Sequence, residues 1–152
     1  MKFRKIKWCC RKKGGIRLIE PNDNLSDKYI EEASQTIDMF EEADNKWNVI
    51  KGYYACYNAL YSILMKAGIK SEIHDCSIAL MPLIQGFFDQ DIKFIERLKE
   101  DRISVQYYLK EKLLKDKNKV KDFVLKCKQI REDINVEDLR KKISGIIKGD
   151  KN

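Results

Sequence analysis

Three features of the 152-residue sequence predict an all-α protein. Apolar residues recur at alternating steps of three and four in at least four segments, the period of a helix with one buried face. Only two prolines and seven glycines interrupt the chain. The connections between periodic stretches are short, which favours antiparallel neighbours. The expected architecture is an up-and-down antiparallel bundle of four to five helices over residues 25–148, with a basic N-terminal arm over residues 1–24. The chain suits one domain of ordinary size, and its 43% apolar residues suffice for a core without staples.

The arm opens the chain. Residues 1–20 hold eight Lys or Arg and one Glu, a net charge of +7. Gly14-Gly15 and Pro21-Asn22-Asp23-Asn24 are breakers. Lys2 to Trp8 alternates as a short strand does, or stays unfolded until something binds it. Trp8 stands among Lys5, Lys7, Arg11, Lys12 and Lys13, with Arg17 beyond. Cations for phosphate and an aromatic ring for a base are what nucleic-acid binding uses. These six basic residues are therefore the candidate nucleic-acid contacts. Residues 21–109 sum to −6, and residues 110–152 carry fourteen basic and eight acidic side chains, a net +6. The excess charge sits at both chain ends, where it attracts phosphates or an acidic partner; a lysine-rich solvated surface is the alternative.

The first helix is expected from about Leu25 to Ala43, capped by Asn24 or Ser26, with Ile30, Ala33, Ile37 and Phe40 on one face. The second starts at a cap on Asp44 and ends at Gly68 in a left-handed turn. Trp47, Ile50, Tyr54, Tyr57, Tyr61 and Leu64 form its expected seam, with Tyr54 at the centre. Gly52 within it implies a close neighbour. A third helix spans about Cys76–Phe87, limited or bent by Pro82. The fourth runs from about Asp91 to Leu114, with Ile92, Ile95, Leu98, Val105 and Leu109 inward. The fifth begins near Asn118, with Val120, Phe123, Val124, Cys127 and Ile130 on one stripe. The last is Val136–Ile147, with Val136, Leu139, Ile143 and Ile146 together.

Several classes of chemistry find no support. The one histidine, His74, lies in no HExxH or Cys-His pattern, so no metal is expected. No phosphate-binding glycine loop occurs, and no cofactor is expected. The five cysteines show no CxxC spacing and suggest neither a zinc site nor a disulfide framework. Cys76, two residues from His74, reads as a packed thiol. That usage points to a reducing, cytoplasmic setting. The longest uncharged apolar run, Ile78–Ile84, is too short to span a bilayer, so no membrane partner is expected.

Tyr53-Tyr54-Ala55-Cys56-Tyr57-Asn58-Ala59-Leu60, followed by Leu64, Gly68 and His74, resembles the hallmark of small archaeal and bacterial HEPN (higher eukaryotes and prokaryotes nucleotide-binding) proteins. Their pattern continues on a later helix with an arginine, a small residue, an acid and a tyrosine. Here that stretch reads Arg102-Ile103-Ser104-Val105-Gln106-Tyr107, with Gln106 where the acid is usual. The resemblance covers roughly residues 26–130.

The resemblance implies a helical bundle, a homodimer, and a minimal nucleotidyltransferase as partner in a toxin–antitoxin pair. Some HEPN proteins are metal-independent ribonucleases that use an arginine and a histidine four to six residues apart. Arg102 is followed by Tyr107 and Tyr108 where that histidine belongs. Histidine moves protons near neutral pH, and tyrosine is a poorer base there. The leading expectation is thus a binding module for nucleic acid, nucleotide or a nucleotidyltransferase. The first alternative is a ribonuclease with Arg102, His74 and Tyr107 as catalytic candidates. The second is a purely structural helical dimer. The tyrosine set on the second helix reads as core or dimer interface before it reads as a base-stacking surface.

Overall fold

A computed structural model describes residues 2–150. It is mostly helical, as expected, with seven α-helices among the described residues. They are α1 (Lys2–Arg11), α2 (Asp23–Asp38), α3 (Lys46–Ala67), α4 (His74–Ala79), α5 (Asp89–Tyr108), α6 (Lys117–Asp133) and α7 (Val136–Asp150). A two-residue strand β1 (Arg17–Leu18) pairs antiparallel with β2 (Ile69–Lys70). One core cluster draws on all seven helices, from Ile6 in α1 to Ile143 in α7.

The first segment corrects the strand expectation. Lys2 to Arg11 is helical, and the strand falls later, at Arg17–Leu18, paired with a segment some fifty positions away. Ile6 and Cys9, three apart, are fully buried against α4 and α7, and Ile16 joins them. Cys9 is bonded to Cys76 across 67 positions. This disulfide corrects the reading of Cys76 as a packed thiol. Cys56 and Cys127 are buried thiols, and burial pushes both well above the usual thiol range.

α3 is the hub: α2, α5 and α6 pack along it. Its most buried stripe is Val49, Tyr53, Cys56, Leu60 and Ile63, one position off the expected seam. Trp47 is 51% exposed, and Tyr54 is half-buried. Asn45, not Asp44, caps the helix by accepting the Trp47 N–H at 2.8 Å. Asp44 instead accepts the N–H groups of Leu114 (3.2 Å) and Lys115 (2.8 Å), fastening the α5–α6 loop to the start of α3. That loop folds Leu114 onto Gly52. A Cβ on Gly52 would lie 3.0 Å from the Leu114 side chain and 3.5 Å from Val120 of α6. At the other end Gly68 takes φ 71°, the left-handed cap the sequence predicts. Arg140 of α7 donates to the carbonyls of Ile19, Ala67 and Gly68 at 2.8–2.9 Å. It thereby satisfies carbonyls the helix end leaves open and complements its negative pole.

The other boundaries shift for local reasons. Asn22 caps α2 through the Leu25 N–H, while Ser26 turns inward to the Ser62 carbonyl. α2 stops at Asp38, short of Ala43. The third segment starts early, at His74, and gives way after Ala79 to a 3₁₀ turn around Pro82, Met81–Leu83. α5 ends at Tyr108 rather than Leu114, because Leu109 takes φ 53° and turns its side chain out, 83% exposed. The expected stripe of α6 is buried throughout.

Candidate functional site

α3 presents Tyr53, Tyr57 and Tyr61 at four-residue steps, so the three rings stand on one face. Each hydroxyl meets α4 or the turn before it. Tyr53 Oη lies 2.7 Å from His74 Nδ1, Tyr57 Oη lies 2.9 Å from Ser77 Oγ, and Tyr61 Oη accepts the Ser71 N–H at 3.1 Å. The Tyr57 ring also stacks on His74, with centroids 3.8 Å apart. Tyr53, Tyr57 and Tyr61 are buried, so the core reading of the tyrosine set holds for these three.

α5 adds Arg102. Its guanidinium lies over the rings of Tyr53 (4.8 Å) and Tyr54 (5.4 Å). Nη1 donates to Tyr54 Oη at 3.3 Å and to Gln106 Oε1 at 3.0 Å. Gln106 thus takes a bond an acid would take, but brings no charge. Arg102 is only 8% exposed, forms no ion pair with a carboxylate among the described residues, and leaves its Nε without a partner. A buried cation without a counter-ion is costly.

Arg102 and His74 are therefore brought together around Tyr53, although 28 positions separate them. Burial depresses the His74 pKa, and the positive charges of Arg102 and Lys99 depress it further against the opposing Asp75. The imidazole is neutral near pH 7. Burial raises Tyr53 well above the ordinary tyrosine value, so it stays a phenol. Tyr53 Oη and His74 Nδ1 share one hydrogen bond; if the phenol donates it, the ring proton sits on Nε2. If the phenol accepts from Nδ1–H instead, the Nε2 lone pair is freed to take a proton. Asp75 and Lys99 form an ion pair beside the cluster. Tyr107 is 70% exposed and makes none of the cluster's bonds.

The basic residues of the first segment occupy a second place. With Ile6 and Cys9 inward, α1 turns Lys5, Trp8 and Arg11 outward, and Lys12 and Lys13 follow the helix, also exposed. Lys7 is half-buried. Trp8 is 40% exposed, with Lys5 Nζ 4.5 Å and Lys12 Nζ 5.4 Å from its ring. Arg17 lies beyond the helix and faces Glu72 at 3.8 Å. α7, the neighbour of α1, carries the exposed lysines Lys141, Lys142 and Lys148, so the two basic chain ends adjoin.

A wide cleft coincides with neither group. It encloses about 1510 Å³ between α5, the α5–α6 loop and the start of α3, with Trp47, Phe94, Leu98 and Leu109 in its lining. No cluster of three or more His, Cys, Asp or Glu suited to a metal occurs among the described residues. No helix among them is long and apolar enough to cross a membrane. No family model matches the chain, and neither does any curated protein or any solved structure.

Sequence reasoning nominated Arg102 and His74 but missed Tyr53 as the group that joins them. The signal was present in the four-residue spacing of Tyr53, Tyr57 and Tyr61, which a single seam through Tyr54 obscured.

Proposed function

We propose that the protein is a HEPN-related helical module that binds single-stranded RNA or a related nucleic acid through the basic face of α1. One observation carries this reading: an exposed tryptophan has two lysine ammoniums near its ring, on a helix whose outward face bears cations and no carboxylate. Aromatic stacking on a base with cations beside it on phosphates is the usual means of holding a single strand. Titrating labelled single-stranded RNA with the wild type and with Trp8→Ala/Lys5→Ala/Lys12→Ala tests it. The triple variant should bind at least about tenfold more weakly, since one base stack alone contributes about 1–3 kcal/mol. Equal affinity would refute the assignment.

A second reading, a metal-independent ribonuclease, rests on Arg102 and His74 meeting at Tyr53. Arg102, a cation lacking a counter-ion, suits a phosphate, and the neutral imidazole suits proton transfer. RNA cleavage in chelator that disappears in both Arg102→Ala and His74→Ala supports it; cleavage that survives either change removes that residue from the chemistry.

The resemblance alone carries a minimal nucleotidyltransferase as partner. For the homodimer, the cleft beside the α5–α6 loop is the favoured surface. Leu109 and Leu113 are exposed there, and the lining is nearly neutral, with six basic and five acidic residues. Two chains of charge +7 meet best where that charge is absent. Leu109→Asp should convert a dimer to a monomer by light scattering; an unchanged mass would place the interface elsewhere.

A further inference from the structure

We propose that the Cys9–Cys76 disulfide is a redox latch that holds the basic helix α1 in its binding position, and that its reduction releases α1 and weakens nucleic-acid binding. This regulation rests on the α1 binding surface proposed above.

The argument starts from where α1 is attached. α2, α5 and α6 pack along α3, but the principal neighbours of α1 are α4 and α7. Within the helix, Ile6 and Cys9 are its fully buried side chains. The fully buried part of the docking of α1 is thus one isoleucine and one covalent bond, with Cys10 packed beside them and the Cys9 carbonyl accepting the Ile16 N–H at 2.9 Å. An isolated helix of ten residues is below the roughly 12–15 needed for even marginal stability in water. Its form depends on that docking. Its charge works against independence too, since Arg4, Lys5, Lys7 and Arg11 repel one another within three turns.

The other end of the bond is anchored firmly. Cys76 lies in α4, flanked by His74 and Ser77, which bond Tyr53 and Tyr57 of the hub. Breaking the bond therefore leaves α4 tied to α3 by side-chain contacts, while α1 loses its strongest tie. The consequence falls on the proposed binding face. When docked, Lys5, Trp8 and Lys12 are held on one rigid surface beside the lysines of α7. When released, the same residues sit on a mobile segment that must be ordered again on binding, which lowers affinity.

The chemistry balances with a thiol reductant such as glutathione or a dithiol. A thiolate attacks one sulfur of the bond and displaces the other as a thiolate, leaving a mixed disulfide. A second reductant thiolate resolves it. The two protein sulfurs gain two electrons and two protons, and the reductant leaves as its own disulfide. Both cysteines are fully buried, so the reductant reaches the bond through brief local opening at the edge of α1, and reduction then removes the tie that closes it again. Disulfides in reducing compartments are usually transient and redox-sensing, consistent with such a device.

The test uses the full chain, oxidised and after dithiothreitol, with thiol alkylation and mass measurement to establish each state. Two readouts are taken: brief trypsin cleavage, and titration with fluorescein-labelled single-stranded RNA. In the oxidised form α1 should resist cleavage. In the reduced form the chain should be cut within residues 4–13 while residues 23–149 persist, and RNA affinity should fall about tenfold. Cys9→Ser/Cys76→Ser should behave as the reduced protein in both states, and circular dichroism checks that its other helices remain. Equal protection of α1 in both forms overturns the latch. So does general cleavage on reduction, which would make the bond a staple of the whole fold. Release of α1 with unchanged RNA affinity overturns the regulation but leaves the binding surface intact. Release of α1 with no salt-dependent RNA binding in either form instead removes the binding reading, and the regulatory claim with it.

Discussion

Helix α3 and helix α1 differ sharply in burial. α3 is covered on nearly every side, and even its polar atoms are spent inward, on His74, Ser77 and Ser71. α1 buries one narrow stripe and exposes Arg4, Lys5 and Arg11 together with Phe3 and Trp8, with no carboxylate among them. The difference separates what holds the molecule together from what it offers to others. Changes in α3 should act on stability, and changes on the outer face of α1 on binding.

The largest expected effect tests the buried side. Leu60 is fully buried in α3, and Leu60→Ala should destabilise the protein by about 3 kcal/mol in denaturant unfolding. A loss under about 1 kcal/mol would mean that the hub repacks freely. Tyr53→Ala should likewise cost more than Tyr54→Ala, because Tyr54 is only half-buried; the reverse order would restore the seam through Tyr54.

Arg102 sharpens the comparison, because it is a buried group that packing does not explain. Arg102→Met keeps the volume and removes the uncompensated charge. Its stability should stay within about 1 kcal/mol of the wild type or rise. A loss of several kcal/mol would show that the stacking on Tyr53 and Tyr54 makes Arg102 a structural residue.

His74 gives a smaller effect with a definite sign. Its pKa is lowered by folding from an ordinary 6.5, so the unfolded chain binds the proton more readily. The stability associated with His74 is fully present above that ordinary value. It is lost as pH falls from about 6.5 toward the depressed folded value. Between pH 7.5 and 5.5 the wild type should lose stability, and His74→Gln should lose less. Parallel curves would assign the loss to other groups.

The smallest effect on folding belongs to the exposed side. Trp8→Ala should change stability by less than about 1 kcal/mol, the range of an exposed cation–π contact. A larger loss would show Trp8 to be part of the docking of α1.

Legibility in the sequence follows the same division. The stripe from Val120 to Ile130 was readable because α6 has one buried face, and periodicity then fixes its phase. In α3 burial on most sides leaves periodicity little phase to report, so the seam came out one position off. Seven residues from Lys2 to Trp8 satisfy a two-residue and a 3.6-residue period almost equally. What decides between them is docking at Cys76, far along the chain. Leu109 continues the apolar pattern of α5 but adopts a left-handed backbone that no local pattern announces. Arg102 and His74 were legible as candidates through the order of short motifs. Their meeting was not, because it passes through the Tyr53 hydroxyl on a third element.

The central claim, that the outer face of α1 contacts phosphates, is tested most directly by the salt dependence of RNA binding. Affinity for one single-stranded RNA would be measured from low to moderate salt for the wild type and for Lys5→Ala/Lys7→Ala/Arg11→Ala/Lys12→Ala. If each of the four cations meets a phosphate, the slope of log affinity against log salt should be shallower in the variant by about 3. Identical slopes, or a wild type whose affinity ignores salt, would contradict the account.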